Sequence, residues 1–338
     1  MGLFASDTVA IDVGSYSVKG VVVGSNRELK KFAAVPTPAG AIEGGIIRNP
    51  EQVTGAIHMV WNTLGVKNPH VMATVPGQYV FVRQMSLPAM KKKELDSAVR
   101  FQAEGQIPIP PTDLVLDYAV VGENKGAKQT EVLVVATRKS VVQQLLYIFN
   151  QAKLQPKVFD LEALALARIL FKRNRKITAG GLDLIASVGA AHTHICLFEG
   201  DVPRFTRSIS FGGQRFTRAL VMERSIGPEE AEERKLAGDL PAEANSLMND
   251  LAGELKRSID FYQSQNKEHS VQQVVLAGGG AQLAKLVDYL AGRLELPVTL
   301  GSLDDKLKIP KRLAAPANLE AFKTVFAPAL GLAVRGLK

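Results

Sequence analysis

The sequence predicts an α/β protein of two lobes related by internal duplication, and three observations carry that reading. The first is a β-hairpin over residues 9–23 with apolar arms, whose turn region reads Asp12-Val13-Gly14-Ser15-Tyr16-Ser17-Val18-Lys19. The second is its copy over residues 184–198, Ser187-Val188-Gly189-Ala190-Ala191-His192-Thr193-His194, displaced by 175 positions (187 − 12). The third is a glycine turn, Gly278-Gly279-Gly280, set between the apolar run Val274-Val275-Leu276-Ala277 and a helical pattern. A glycine flanked by β-type residues permits a tight turn at which backbone N–H groups approach an anion closely. Two facing hairpins and a glycine-rich strand-to-helix turn describe a nucleotide cleft.

Up to about residue 80 the pattern reads strand, strand, strand, helix, strand. The helix spans 51–64, where Asn49-Pro50 supplies a capping side chain followed by a proline in the first turn. Residues 79–87 alternate as a strand, and 91–104 read as an amphipathic helix with Leu95, Val99 and Ala103 on one face. The break Ile107-Pro108-Ile109-Pro110-Pro111 precedes strands at 114–121 and 131–137, joined by a polar hairpin loop over 122–129. A helix over 139–153 closes this βαββα unit. It reads as an insertion, because Val158-Phe159-Asp160 and the helix after it return to the apolar character of the first lobe. The second lobe opens near Gly180-Gly181 and carries a mostly helical insertion of its own, with charged helices at 228–237 and 242–265. Strand 271–277 leads back to the glycine turn, and 329–334 close the chain as a helix. The expected division is therefore 1–80 with 156–179 for the first lobe, 81–155 for the inserted module, 180–211 with 271–338 for the second lobe, and 212–270 for its helical insertion.

A length of 338 residues suffices for roughly two domains with their own cores. Hydrophobic content of 46% beside 22% charged residues excludes a disordered chain. No stretch reaches the ~18 apolar residues of a membrane span, and the first residues lack the basic-then-apolar pattern of a secretory leader. The net charge of +8 biases the surface toward anionic partners. Its densest clusters, Lys91-Lys92-Lys93 and residues 172–176, lack interleaved aromatics, so nucleic acid is not an expected partner. The single cysteine, Cys196, can form no intrachain disulfide and suits a reducing compartment.

In the first hairpin Gly14, Ser15 and Ser17 can offer N–H and hydroxyl donors to a phosphate. Lys19 can supply a countercharge, and Asp12 can hold a hydrated magnesium ion. Glu232 and Lys235 lie three apart on one helical face, where a carboxylate can accept from ribose hydroxyls while a lysine stem lies against a purine. A solvent-facing ion pair is the simpler alternative. His192 and His194 share one face of a strand, but no carboxylate or cysteine follows at ligand spacing, so a zinc centre is not expected.

These motifs resemble those of the actin-like ATPases, a ribonuclease H-like duplicated fold, and within them the PilM family related to the division protein FtsA. The likeness extends over nearly the whole chain. It includes Pro38-Ala39-Gly40-Ala41-Ile42 with Gly45-Ile46-Ile47, and Ala98-Val99-Arg100-Phe101-Gln102-Ala103-Glu104 leading to Ile107-Pro108-Ile109-Pro110 and Val115-Leu116-Asp117-Tyr118. The resemblance implies an actin-like fold with an FtsA-type inserted βαββα subdomain, and ATP or ADP with Mg as cofactors. It places Asp12, Gly14, Ser15, Ser17 and Lys19 in the first phosphate motif, with Asp12 reaching Mg through water. Ser187, Gly189 and His192 fall in the second phosphate motif, Gly278, Gly279 and Gly280 in the adenosine motif, and Glu232 and Lys235 on the nucleoside-contacting helix. It also implies a partner, the short N-terminal tail of a PilN-like membrane protein, held in a groove between the first lobe and the inserted module. Arg100, Glu104, Ile107, Pro108 and Asp117 are the candidate contacts. The expected location is the cytoplasmic face of the bacterial inner membrane, attached to the pilus platform through that partner, with self-association open.

One departure matters. Ser187 stands where the family carries an aspartate that holds magnesium-bound water, which predicts weak or absent hydrolysis and a gain of turnover in Ser187→Asp. Two rival readings are a small-molecule kinase of the same superfamily, with Asp160 as its carboxylate, and an FtsA-like polymerising division factor.

Overall fold

A computed structural model of the chain describes residues 7–124, 126–171, 178–303, 307–310, 313 and 319–337; the basic run at 172–176 lies outside them. The first lobe opens with an antiparallel meander, β1 (Thr8–Val13), β2 (Ser17–Val23) and β3 (Leu29–Pro36). A short hairpin, β4 (Ile42–Glu43) and β5 (Ile46–Ile47), then leads into α1 (Pro50–Leu64). Asn49 caps that helix as expected, its Oδ1 accepting from the Gln52 N–H at 3.1 Å, and Gly65 ends it in a left-handed conformation at φ 56°. The chain returns through β6 (His70–Val75), parallel to β1.

The inserted module follows: β7 (Phe81–Pro88), α2 (Lys92–Gln106), β8 (Leu114–Asn124), β9 (Gln129–Arg138) and α3 (Lys139–Gln151). Its sheet runs in the order β7-β9-β8. Leu95, Val99 and Ala103 pack α2 onto one face of that sheet, with Met85, Leu87, Val132 and Val134. The opposite face, with Val82 and Leu133, seats against Leu161 and Leu164 of the first lobe. The predicted loop is shorter than expected because both strands continue into it, with a bulge near Gly122. Helix α3 buries Leu145, Ile148 and Phe149 in the first lobe's core beside α1, so its packing belongs to that lobe.

Strand β10 (Gln155–Leu161) joins β6 in parallel and leads into α4 (Glu162–Leu170), completing a first-lobe sheet of order β10-β6-β1-β2-β3. The second lobe repeats the plan. β11 (Gly181–Val188), β12 (Thr193–Glu199) and β13 (Val202–Ile209) form its meander. Helices α5 (Gln214–Arg224), α6 (Pro228–Leu236) and α7 (Ala244–Gln265) are its insertion, and β14 (Ser270–Ala277), α8 (Leu286–Leu294), β15 (Val298–Leu300) and α9 (Leu319–Ala333) close it. Its sheet order, β15-β14-β11-β12-β13, matches the first sheet strand for strand. The duplication holds to the residue: Asp12 faces Lys19 across one hairpin and Ser187 faces His194 across the other. In both turns the glycine N–H bonds the carbonyl three residues on, Gly14 to Ser17 at 3.2 Å and Gly189 to His192 at 2.8 Å.

Helices α4 and α9 lie side by side between the sheets and knit a core that takes Ala10, Val21 and Met72 from one lobe and Ile185, Cys196 and Phe198 from the other. The approach is close enough that a Cβ on Gly331 would fall 1.9 Å from the Ala165 carbonyl oxygen. Helix α9 starts at Leu319, well before residue 329, the expected beginning, and carries Pro328 inside it.

Candidate functional site

The parallel strands β1, β6, β10, β11 and β14 all end at the junction of the two lobes, the place where open α/β sheets gather their ligands. A cleft of about 720 Å³ opens there. All thirteen residues predicted for the cofactor line it: Asp12, Gly14, Ser15, Ser17, Lys19, Ser187, Gly189, His192, Glu232, Lys235, Gly278, Gly279 and Gly280.

Each wall is fixed by local bonds. The first turn is tied to the segment after β3, where the Thr37 hydroxyl donates to the Gly14 carbonyl at 2.7 Å and the Thr37 N–H to the Tyr16 carbonyl at 2.9 Å. The second turn is tied to the start of α5, where the N–H groups of Gly213 and Gln214 donate to the Gly189 and Ala190 carbonyls, both at 2.9 Å. Gly278 adopts φ +83°, and its N–H donates to the Thr324 carbonyl on α9 at 3.2 Å.

The charges of the cleft are paired. Lys19 Nζ lies 2.9 Å from Asp12 Oδ2, and Thr74 Oγ1 donates to Asp12 Oδ1 at 3.3 Å. On the second lobe Lys235 is buried, with Nζ 2.6 Å from Glu232 Oε2 and 3.0 Å from Thr217 Oγ1, while Thr217 itself donates to Glu232 at 2.6 Å. Burial and this triangle of bonds exclude the solvent-facing alternative for Glu232 and Lys235.

The second phosphate turn departs from the sequence-based expectation. Ser187 removes a carboxylate, but Glu162 at the head of α4 brings one to the same place. Ser187 Oγ donates to Glu162 Oε1 at 2.6 Å, and His194 Nε2 stands 3.5 Å from Glu162 Oε2. A carboxylate is thus present beside Ser187 and His194, supplied by a different element. Ser187→Asp would therefore set two carboxylates within hydrogen-bond distance of each other. Sequence reasoning missed Glu162, Thr74, Gln78 and Thr217. The available signal for Glu162 was its position, an acidic residue opening a helix directly after a parallel strand.

Asp160, two residues earlier, is not in the cleft. Its buried carboxylate lies 2.7 Å from Arg168 and 3.0 Å from Arg335, and Oδ1 accepts the Leu161 N–H at 2.8 Å. It clips the end of α9 to α4, is unavailable as a kinase's base, and does not cap α4. His192 and His194 stack with centroids 6.4 Å apart, and no group of three metal-ligating side chains occurs among the described residues.

The partner candidates are brought together less well. Arg100 and Glu104 are exposed on the outer side of α2, on the sheet face opposite the one turned to the first lobe. Ile107 is buried in the module's core, so its side chain cannot meet a partner, and Pro108 is exposed in the turn after α2. Asp117 pairs with Val135 and so shares the face directed at the first lobe. A second cavity, of about 290 Å³, lies between β7, α4 and the second lobe, lined by Val80, Phe81, Arg83, Leu161, Ala163 and Leu166 among others. It shares Gln78, Glu162 and His194 with the nucleotide-type cleft.

Duplicated ribonuclease H-like sheets around an interlobe cleft with two phosphate-type turns define an actin-like protein. Comparison with known structures agrees. EutJ, the ethanolamine utilization protein from Carboxydothermus hydrogenoformans, superposes with a TM-score of 0.57 at 15% identity over 99% of this chain and 91% of that one. MreB5 of Spiroplasma citri bound to ADP does so with a TM-score of 0.51 at 13% identity over 97% and 95%. A structure of the PilM-PilN type IV pilus biogenesis complex matches with a TM-score of 0.83 at 27% identity over 98% of both chains. The family described as type IV pilus assembly protein PilM matches residues 10–337, and the chain belongs to it. Its role is that of an actin-like protein in type IV pilus assembly, and neither the kinase nor the division-factor reading is favoured. No helix among the described residues is long and apolar enough to cross a membrane.

Proposed function

We propose that the chain is a nucleotide-holding adaptor that binds the N-terminal tail of a PilN-like membrane protein and is recruited by it to the inner-membrane platform of the pilus. One observation supports the nucleotide above all others: thirteen residues from four separated segments line a single cleft. In this reading Gly14, Ser15, Ser17 and Lys19 receive the phosphates from one side and Gly189 and His192 from the other. Gly278, Gly279 and Gly280 pass beside the base, and Glu232 meets the ribose. Asp12 is a hard oxygen donor at the phosphate end, which fits a hydrated magnesium ion that the phosphates would share. Such an ion would neutralise phosphate charge. The protein's own groups orient the chain of phosphates, and Glu162, held by Ser187 and His194, is placed to position a water.

The tail is assigned to the seam between module and first lobe, along the cavity under β7, rather than to α2. The wall formed by Val80, Val82, Leu161, Ala163 and Leu166 suits the apolar residues of an extended peptide, and Arg83 at its edge suits a carbonyl or carboxylate. Titration of a synthetic tail peptide into the protein with ATP and Mg tests both assignments. Val80→Ala should weaken the peptide and Glu104→Ala should not; the reverse pattern refutes the placement, and absence of any peptide heat refutes the partner.

A further inference from the structure

We propose that His192 reads the terminal phosphate, so that the protein's preference for a nucleoside triphosphate over a diphosphate is set by a proton taken up on that imidazole. The inference rests on the nucleotide reading of the cleft. By the 175-residue shift His192 occupies in the second turn the place that Ser17 holds in the first (192 − 17). A hydroxyl in one copy is therefore an imidazole in the other. His192 closes its turn by accepting the Gly189 N–H at its own carbonyl, which fixes its backbone, and its ring forms part of the cleft wall.

The groups around it are committed elsewhere. Asp12 and Lys19 on the first hairpin pair with each other, as do Glu232 and Lys235 on α6, and Glu162 on α4 is shared between Ser187 and His194. Tyr16 stands at the cleft with a phenol held protonated above its ordinary range by burial and by Glu232 and Glu229. The imidazole of His192 makes no hydrogen bond or ion pair among the described residues, and stacks only on His194, with 10° between the rings. From the first lobe the β4–β5 hairpin reaches over it: a Cβ on Gly45 would come within 3.3 Å of His192 Cε1, and Gln78 holds that tip by donating to the Gly45 carbonyl at 3.0 Å. The result is a half-enclosed imidazole on the wall of the cleft, held between His194 and the β4–β5 hairpin with its nitrogens uncommitted.

Burial and the neighbouring His194 hold the His192 pKa below the ordinary imidazole value, so the ring is neutral at neutral pH while the cleft is empty. A phosphate dianion beside it favours the charged form and raises that pKa, so binding takes up a proton in the window between the two values. Triphosphate affinity should then rise as pH falls through that window. A diphosphate, which does not reach the second turn in the same way, should respond less.

The test is calorimetric titration of ATP with Mg and of ADP with Mg at about pH 6 and about pH 8, in wild type, His192→Gln and His192→Ser. The serine copies the first turn, and the ADP heat reports that each variant is folded. In wild type the ATP-to-ADP affinity ratio should increase roughly tenfold toward the lower pH, the yield of a single charge-assisted contact, and in both variants the ratio should be independent of pH. A flat ratio in wild type, or a pH dependence that survives in both variants, overturns the assignment of His192 while leaving nucleotide binding intact. Absence of heat with either nucleotide at either pH overturns the nucleotide reading and this inference with it.

Discussion

Alanine substituted in turn at Gly278, Gly279 and Gly280 should separate what the fold requires of the glycine turn from what a ligand requires. At Gly278 the backbone is left-handed at φ +83°, and an added Cβ would sit 2.5 Å from the Val188 carbonyl oxygen. With ψ at 168° this is a conformation only glycine adopts readily, which costs an alanine about 1–3 kcal/mol, and relieving the overlap adds about 1–3 kcal/mol. At Gly280 the Cβ would lie 2.5 Å from Val188 Cγ1 and 3.0 Å from the Val188 carbonyl oxygen, so an overlap penalty of similar size, about 1–3 kcal/mol, applies without the backbone one. Gly279 differs: its nearest neighbour would be Val325 Cγ2 at 3.8 Å, an ordinary contact with another residue of the cleft wall. Gly279→Ala should therefore leave stability unchanged or raise it by up to about 1 kcal/mol through the unfolded state. If a nucleoside occupies the cleft, however, the methyl takes space the ligand needs, and about 1–3 kcal/mol of misfit is a roughly fivefold to hundredfold loss of ATP affinity. Urea unfolding and calorimetric ATP titration of the three variants give both quantities. A Gly279→Ala protein that binds ATP as wild type does, or that unfolds as early as Gly278→Ala, would refute this reasoning.

Further outcomes follow from the same geometry. Lys19→Ala removes a phosphate contact and leaves Asp12 with the Thr74 hydroxyl as a donor; ATP affinity by calorimetry should fall by about 1.5–3 kcal/mol, and an unchanged affinity would remove Lys19 from the site. Phosphate release should fall in Glu162→Gln and should not rise in Ser187→Asp, where Glu162 is already within reach; a gain in Ser187→Asp would show that the serine itself limits turnover. Asp160→Asn removes the carboxylate charge that Arg168 and Arg335 share. Both arginines are partly exposed, so the loss in chemical unfolding should lie near the lower end of the range for broken buried pairs, about 3 kcal/mol, and a neutral result would mean the clip does not hold the lobes. Replacing 81–138 with a short linker should remove peptide binding and spare ATP binding. Extending the cut to 153 should unfold the first lobe, because it takes Leu145, Ile148 and Phe149 out of that core.

What was legible in the sequence was what repeats or alternates. The 175-residue shift survives as identical hairpin register, because a two-residue side-chain period admits no slip without turning every core residue outward. Glycines at forced turns and the Leu95, Val99, Ala103 stripe were legible for the same reason, each answering to a local rule. Contacts between elements were not. Glu162 and Ser187 lie 25 residues apart in the chain, and the packing of α4 against β11 of the second lobe brings their side chains to 2.6 Å. Asp160 was the more conspicuous acid, yet the head of α4 carries Glu162 into the cleft while Asp160 stays beneath it. Which partner candidates share a face was not legible, because a sequence stretch does not say which sheet face its helix covers: Arg100 and Glu104 lie on the far face and Asp117 on the near one. The first half of α9 was not read as helix, and its place is set by Phe322, Phe326 and Ala327 packing into the core shared by both lobes.

The central claim, that the interlobe cleft holds a nucleotide, is tested most directly by titrating ATP with Mg into the purified full-length protein and repeating the titration with Gly279→Ala. The account predicts one nucleotide per chain for wild type and a weaker affinity for the variant at unchanged fold stability. No heat and no thermal stabilisation at high nucleotide concentration, or a wild-type affinity indifferent to the methyl at Gly279, would contradict it.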